Sequence, residues 1–421
     1  MGFPSMNAAL SSDDVVIVGA GIVGICIAAH LVEAGHAVTV IDRTGISEET
    51  SSGNAAAFAF SDVLPLAQKG MMRNLPRWLA DPLGPLSVPP TYLPHLAPWL
   101  WRFWRAGAAK NREASLVAQA AMMRLAEAEW AGLMDRSGTA TMLREDGSLE
   151  LYESEAEFAA SLPGWVARDR FGIVYRHVEG AELAGLQPGL APRFVKGTFV
   201  PGWKTVADPK LLGKAVWAYA EKKGARFERG EVVRAEAGAS GATLHLADGS
   251  SRKAAKLVIA AGAWSHLLAG QLGEAIPLET ERGYNTTLPA DAFDVKRQLT
   301  FSGHGFVITP LSTGLRIGGA VELAGLKRPP NYARSRAMLE KAKRFLPGLK
   351  AEGGREWMGF RPSLPDSLPV IGAARAPGVF YAFGHGHLGL TQAAATGRLI
   401  RDLIACQAPA IDIRPFRAQR F

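Results

Sequence analysis

Cysteine is nearly missing, with Cys26 and Cys406 the two in 421 residues. Two thiols cannot make a disulfide framework or a cysteine-rich metal site. The simple inference is a reducing, cytoplasmic setting in which both are buried filler in helices, and no metal ligand set is expected. Long apolar runs are missing too: no window of about 18 consecutive apolar residues is present, so no membrane span is expected. The first 14 residues lack an apolar stretch of signal-peptide length and an early basic cluster, and read as a disordered tail or a cloning remnant. Met6 breaks the myristoylation pattern. A dense basic run is absent, so the formal charge of +8 reads as a solvated basic surface, with no nucleic acid expected. Anionic substrates or an acidic membrane surface are the functional alternatives. What the chain does have is apolar material, 48% of its residues, enough for two domains with cores.

The most informative stretch is residues 15–42, VVIVGAGIVGICIAAHLVEAGHAVTVID. Val15, Val16, Ile17 and Val18 make an apolar run suited to a strand buried on both faces, and it breaks at once into Gly19-Ala20-Gly21-Ile22-Val23-Gly24. In this G-x-G-x-x-G spacing Gly19 permits the tight turn, Gly21 lets backbone approach a pyrophosphate, and Gly24 lets the next helix lie close on the strand. That helix is expected over residues 22–33, its free N–H groups aimed at phosphate, with Gly35 ending it. Residues 37–41 return as a strand that finishes on Asp42. An acid roughly 20 residues past the glycines accepts the hydroxyls of an adenosine ribose, and argues against a 2′-phosphate even with Arg43 beside it. Strand, loop, helix, strand and acid in this order predict a dinucleotide site. A buried βαβ unit with glycines used only for packing explains the turn but not the acid.

Further along, Ser51, Ser52, Gly53 and Asn54 suit either a loop hugging a diphosphate or an ordinary Ser/Gly turn. Pro82, Pro85, Pro89, Pro90, Pro94 and Pro98 then alternate with Trp78, Trp99, Trp101 and Trp104, which delays any continuous helix until about Pro98. The amphipathic helix after it suits core packing over a substrate cleft or a membrane interface. A structural helix is expected over residues 111–136 and a strand over 148–152, then short strands and turns to 200. Asp208-Pro209 starts a helix that Gly224 stops. Strands follow near 225–228, 231–233, 242–246 and 256–260, the last ending in Ala261, Gly262 and Trp264, small residues that permit a second backbone pass along the same cofactor. Residues 277–349 read as a second sheet, with 306–308 paired to 315–319 across a turn, and a surface helix at 334–345. A strand at 379–383, the loop Gly384-His385-Gly386-His387-Leu388-Gly389 and a helix to about 405 repeat the strand–glycine loop–helix order. A second helix start aimed into the site favours negative charge on a ligand.

GAGIVG with VID, ETSSGNAA, IAAGAWS, ITPLSTGLRIGGAVEL, GFRPSLPDSLPVIG and GHGHLGLTQAAATG, in this order over residues 15–397, resemble the FAD-dependent D-amino acid oxidase superfamily, and within it the bacterial D-amino acid dehydrogenase branch. The resemblance implies an α/β fold: a Rossmann-like FAD-binding domain of glutathione-reductase type from residues 13–75, 203–275 and 355–421, and a mixed-sheet α+β substrate domain from 76–202 and 276–354. It implies oxidation of an amino acid at the carbon bearing nitrogen, with hydride passing to flavin N5, to give an imine or a 2-oxo acid. Carried over, Gly19, Gly21, Ile22, Val23 and Gly24 hold the pyrophosphate, and Asp42 and Arg43 flank the adenosine ribose. Ser51, Ser52, Asn54 and Ala55 follow the diphosphate and flavin edge, and Val233 lies at the adenine. Ala261, Gly262 and Trp264 line the other flank, while Gly386, His387, Leu388, Gly389 and Thr391 approach the pyrimidine end of the flavin. No cysteine stands at the C-terminal loop, so FAD is expected to be non-covalent. Thr391 replaces the lysine of sarcosine-type oxidases, which favours a quinone or carrier over oxygen as electron acceptor. GHGHLG departs from the more usual GHGTLG, which leaves the substrate open.

For the substrate, Arg361 offers the forked donors that a carboxylate needs in a site shielded from water. Tyr284 is either a second donor to it or a sheet residue. His387 either orients substrate and relays a proton or is a loop histidine satisfied by backbone, and His304 is a weaker candidate near the second sheet. The expected function is dehydrogenation of a D-amino acid, with cyclic ones such as D-proline or a hydroxy-D-proline included. The alternatives are oxidation of a secondary amine (an N-methyl amino acid or an opine), or a flavin-binding subunit of a membrane-associated complex, which would place the chain on the inner membrane's surface.

Overall fold

The computed structural model describes residues 14–67, 84, 86–239 and 241–421; the expected N-terminal tail, Trp78, Pro82 and Pro85 lie outside them. The strand Asp14–Val18, the helix Ile22–Glu33 and the strand Ala37–Asp42 form where the local sequence places them. Among the described residues they enter a six-stranded sheet in the order 226–229, 37–42, 14–18, 256–259, 379–383, 370–373. Its pairings are parallel apart from the outer hairpin of 370–373 with 379–383. Ile17, Val40 and Val258 point to one face, into a core shared with the helices Ile22–Glu33, Pro209–Lys222 and Gly389–Ile404. Val16, Val18, Leu257 and Ile259 point to the other, under the antiparallel strands Val232–Gly238, Gly241–Leu246 and Ser251–Ala254. Burial on both faces is why these strands read as unbroken apolar runs.

A second sheet runs 355–363, 279–288, 314–323, 306–311, 298–301, 148–152, 196–200, 176–179, with Leu86–Ser87 paired to Gly314–Leu323. Its core face carries Leu299, Phe301, Phe306, Ile308 and Ile317 against Phe345 and Met338 of the helix Ala333–Phe345. The strand Arg355–Ser363 pairs with Glu279–Leu288 along its length. Residues 355–363, expected with the FAD-binding segments, are therefore part of this second sheet.

Three local expectations are corrected. The proline-rich helix spans Leu93–Ala106: Pro94 sits in the first turn, where no N–H is needed, and a single interior Pro98 is accommodated. The stretch after 152 holds two helices, Glu155–Asp169 and Gly180–Leu186. The first was signalled by an S-x-x-E box, in which Ser154 Oγ accepts from the Glu157 N–H at 3.1 Å and Glu157 Oε2 from the Glu153 N–H at 2.7 Å. Cys26 is buried as expected, but Cys406 lies past the end of the last long helix and is exposed.

Candidate active site

Both glycine loops open into one cleft of about 1420 Å³ between the two sheets. At the first, a Cβ on Gly19 would lie 2.3 Å from the Ala260 carbonyl oxygen, and one on Gly24 would lie 1.9 Å from that of Gly19. Neither position accepts a side chain, so the backbone itself is the floor. Gly19, Gly21, Ile22 and Val23 line the cleft, whereas Gly24 packs beneath it. The helix Ile22–Glu33 has no side-chain cap of its own at Gly21; instead Ser51 Oγ, 29 residues on, accepts from the Ile22 N–H at 2.9 Å. Ser51 thus joins the second loop to the first.

Asp42 lies on the wall with one carboxylate oxygen accepting from the Ala20 N–H at 2.8 Å and the other from Thr44 and Gly45. Arg43 is paired with Glu49 at 3.0 Å and lies 3.9 Å over the Trp264 ring. This committed guanidinium is in no position to seek a 2′-phosphate. Val233, Ala261, Gly262 and Trp264 line the same end. Asn54 and Ala55 also face the cleft, while Ser52 turns its hydroxyl back to the carbonyls of Glu48 and Glu49.

At the second loop, Gly386, His387, Leu388 and Gly389 line the cleft, and no side chain caps the helix that follows. Thr391 is off the wall. Its buried hydroxyl accepts from the Ala59 N–H at 3.1 Å and donates to the Ala57 carbonyl at 3.2 Å, fixing the loop after Asn54 to this helix. His385 is buried against Thr396 Oγ1 at 2.9 Å, and burial pushes it down to about 3, so it is neutral. His387 Nε2 lies 3.1 Å from Asp62 Oδ2. Burial works to raise the Asp62 carboxyl, but the His387 hydrogen bond, the His387 charge and Arg168 hold it below its ordinary value. His387 and Asp62 make an anchored pair at the cleft edge.

Strand periodicity settles the substrate wall. Glu281, Gly283 and Asn285 face Arg361, Gly359 and Trp357 in register, and all six line the cleft. The intervening Tyr284 sends its side chain to the opposite face. There its hydroxyl donates to Glu322 Oε2 at 2.5 Å and accepts from the Asn331 N–H at 3.1 Å, and burial with Glu322 pushes it up to about 12. Tyr284 thus touches the cleft wall as a sheet residue, its hydroxyl spent on Glu322 and Asn331. His304 is also elsewhere, 3.2 Å from Glu153 and edge-on to Phe345, although its neighbours Gly303 and Gly305 line the cleft. Arg361 stays: its guanidinium lies over Gly283, where a Cβ would fall 2.5 Å from Nη2. Among the described residues it makes no hydrogen bond or ion pair, and desolvation lowers it against the pull of Glu281.

Several wall residues were not anticipated from sequence. Arg316 Nη1 donates to the Asn54 carbonyl at 2.6 Å and Asn285 Nδ2 to that of Gly53 at 2.8 Å, while the Trp357 ring covers Gly53. Glu281 also lines the wall. Nothing local marks them, because each depends on pairing or packing with distant chain.

Sites for one small ligand run to about 1,000 Å³, so this cleft has room for a dinucleotide and a small substrate together. Two helix starts whose own N-cap residues supply no side-chain cap, a Gly19 floor that admits no Cβ and an acid at the end of the second strand suit the pyrophosphate, flavin and ribose of FAD. Neither cysteine is on the wall. Comparison with known proteins agrees. The chain is 32% identical to a D-amino-acid oxidase of Bradyrhizobium diazoefficiens over 418 residues, 97% of this chain and 98% of the relative. It is also 32% identical to a D-amino acid dehydrogenase of Methylobacterium radiotolerans, with 94% and 97% covered. The fold is similar to glycine oxidase from Geobacillus kaustophilus, with TM-score 0.74, 24% identity and 97% and 98% of the chains covered. It is similar as well to L-proline dehydrogenase from P. horikoshii, with TM-score 0.74, 20% identity and 97% of each chain covered. Residues 14–403 match the family described as FAD dependent oxidoreductase (DAO), and the chain belongs to that family of FAD-dependent enzymes.

Proposed function

We propose that the chain dehydrogenates an amino acid at the carbon bearing nitrogen, a D-amino acid being favoured by the names of the relatives, with FAD held non-covalently. Arg361 carries this reading: a half-buried guanidinium without a protein partner, facing the cleft, is a carboxylate clamp awaiting its carboxylate. FAD held by the two glycine loops and Asp42 would supply the two-electron oxidation, accepting the hydride of the substrate carbon while the amine proton goes to solvent; water would hydrolyse the resulting imine to a 2-oxo acid and ammonia unless it is cyclic. The chain positions the substrate with Arg361 and sets the cleft edge with His387 and Asp62. The FAD-binding part is assembled from three separated segments, with the second sheet as its lid.

For the acceptor, the same reading favours a quinone or carrier reached at a membrane surface. No helix among the described residues is long and apolar enough to cross a membrane. The helix Leu93–Ala106, however, turns Trp99, Leu100 and Phe103 to the cleft while Trp101 and Trp104 are 50% and 60% exposed beside Arg102 and Arg105. Tryptophan with arginine on an outward face suits a peripheral contact with anionic lipid.

The test is anaerobic bleaching of the bound flavin by a panel of D- and L-amino acids, their N-methyl derivatives and carboxylate-free amines, with a dye as acceptor. Amino acids should bleach it and carboxylate-free amines should not. Arg361→Ala should raise KM roughly 10- to 100-fold, the loss of a charged hydrogen-bonded pair. An unchanged KM, or equal bleaching by carboxylate-free amines, removes Arg361 from this role.

A further inference from the structure

The carboxylate beside Arg361 has no partner that explains it. Glu281 is 8% exposed, lines the cleft, and stands directly across the strand pair from Arg361. The other buried acids among the described residues each hold two or more donors. Glu322 has Arg282 and Tyr284, Asp402 has Arg398 and Arg401, and Asp208 has two backbone N–H groups and Thr313. Glu279 has Tyr92 and the Thr280 N–H, and Glu274 has Tyr381, Gln419 and the Arg375 N–H. Glu281 has one, the Ser363 hydroxyl, at 2.6 Å from Oε1. It forms no ion pair with Arg361, whose guanidinium is displaced along the strand over Gly283. A buried carboxylate with one donor and a half-buried guanidinium with no acceptor, side by side without joining, are costly for a protein to hold apart.

We propose that Glu281 binds the substrate's amino group. This rests on the reading of Arg361 as the carboxylate clamp and adds to it the other half of a zwitterion. An α-amino acid carries an ammonium one carbon from its carboxylate, so a single ligand satisfies both side chains at once. Carboxylate goes to the guanidinium, ammonium to the free Oε2 of Glu281, and the reacting carbon sits between them. Period-two placement on neighbouring strands fixes the two groups on one face, and Gly283 is the gap that lets the guanidinium lie flat rather than collapse onto the acid. The site then prefers a free, cationic amine and discriminates against carboxylates of the same shape without nitrogen. Discrimination of this kind arises because Glu281 is left unpaired when the amine is missing.

The experiment compares two ligands on the FAD-loaded protein by calorimetry. One is the amino acid that best bleaches the flavin, and the other its analogue with hydrogen in place of the amino group. Wild type should bind the amino acid at least tenfold more tightly. In Glu281→Gln, which keeps an oxygen for the Ser363 hydroxyl, that preference should vanish through weaker amino-acid binding, with the analogue held as well as before or better. Ser363→Ala removes the one protein hydrogen bond to Glu281 but leaves its charge, and should retain the preference. If Glu281→Gln weakens both ligands alike, or neither, or if Ser363→Ala abolishes the preference equally, Glu281 is structural and the proposal is overturned. Arg361→Ala should weaken both ligands. If it weakens neither, the clamp itself is overturned and the proposal falls with it, a result separate from anything seen in Glu281→Gln.

Discussion

Tyr284 and Arg361 show how far one residue's role depends on which face of a strand it occupies. Tyr284 and Glu281 are three positions apart on one strand, and an odd separation in a period of two sends them to opposite faces. The tyrosine is spent on Glu322, and the acid nobody would choose from composition faces the substrate. At this scale the buried histidines give a measurable consequence. His385 is pushed down to about 3 by burial. His30 is pushed down to about 4 by burial, with Glu33 opposing and Arg136, Arg401 and Arg398 assisting. Each starts from an ordinary value of 6.5 in the unfolded chain. A histidine whose folded value is depressed stabilises the fold fully above its unfolded value and loses that contribution as pH falls toward the folded one. Below pH 6.5, then, unfolding takes up a proton at each site, and stability should fall by about 1.4 kcal/mol per pH unit per histidine until pH approaches 4. Urea unfolding at pH 7, 5.5 and 5 reads the slope. His385→Gln, which still reaches Thr396, should remove one proton's share of it, and an identical slope in the variant would show that His385 titrates normally.

Elements set by neighbouring residues were readable, and those set by distant ones were not. The first βαβ unit forms within a residue of expectation because its signals are local: an apolar run, a glycine loop in which backbone fills the space at Gly19 and Gly24, and a stop at Gly35. The Asp208 cap is of the same kind, with Oδ1 accepting from the N–H groups of Lys210 and Leu211. By contrast, residues 355–363 were expected among the FAD-binding segments, yet the strand Arg355–Ser363 joins the second sheet through pairing with Glu279–Leu288, roughly seventy to eighty positions away and invisible to any local pattern. The helix Leu93–Ala106 lies between these cases. Its amphipathic character is legible, with cleft wall and membrane contact as alternatives; one face lines the cleft, and the other leaves Trp101 and Trp104 exposed, the face proposed for a membrane. That division makes the outward face testable without touching the cleft. Trp101→Ser with Trp104→Ser should leave flavin bleaching by amino acids intact. The same change should cut co-sedimentation with vesicles rich in phosphatidylglycerol at least tenfold, with little binding to phosphatidylcholine vesicles in either protein. Equal sedimentation of variant and wild type would separate this helix from any membrane contact.

On the scale of the whole molecule, the two sheets are joined through the loop that carries Ser51 to Asn54. From one side Ser51 holds the start of the helix Ile22–Glu33. From the other, Arg316 and Asn285 of the second sheet hold the carbonyls of Asn54 and Gly53, and Trp357 lies over Gly53. The cofactor cradle is therefore shaped by residues more than two hundred positions downstream, and substrate wall and flavin floor are coupled through a few hydrogen bonds. Arg316 is the strongest of these: burial pushes it down only to about 10, so it stays charged at neutral pH, and its guanidinium also reaches Thr287 Oγ1 at 3.1 Å. Removing it leaves buried carbonyls without a charged donor, which costs roughly 1.5–3 kcal/mol per lost bond. FAD adds a second effect, since a ligand present at a hundred times its Kd stabilises the folded state by about 2.7 kcal/mol. If the loop transmits between sheet and cradle, Arg316→Ala should lower the melting temperature of the apoprotein and also weaken FAD, so that added FAD recovers less of the loss than it does in wild type. Melting curves of both proteins across a series of FAD concentrations separate the two effects. A variant that is merely less stable but gains as much from each increment of FAD as wild type would show that Arg316 supports the sheet alone and that the cradle is set without it.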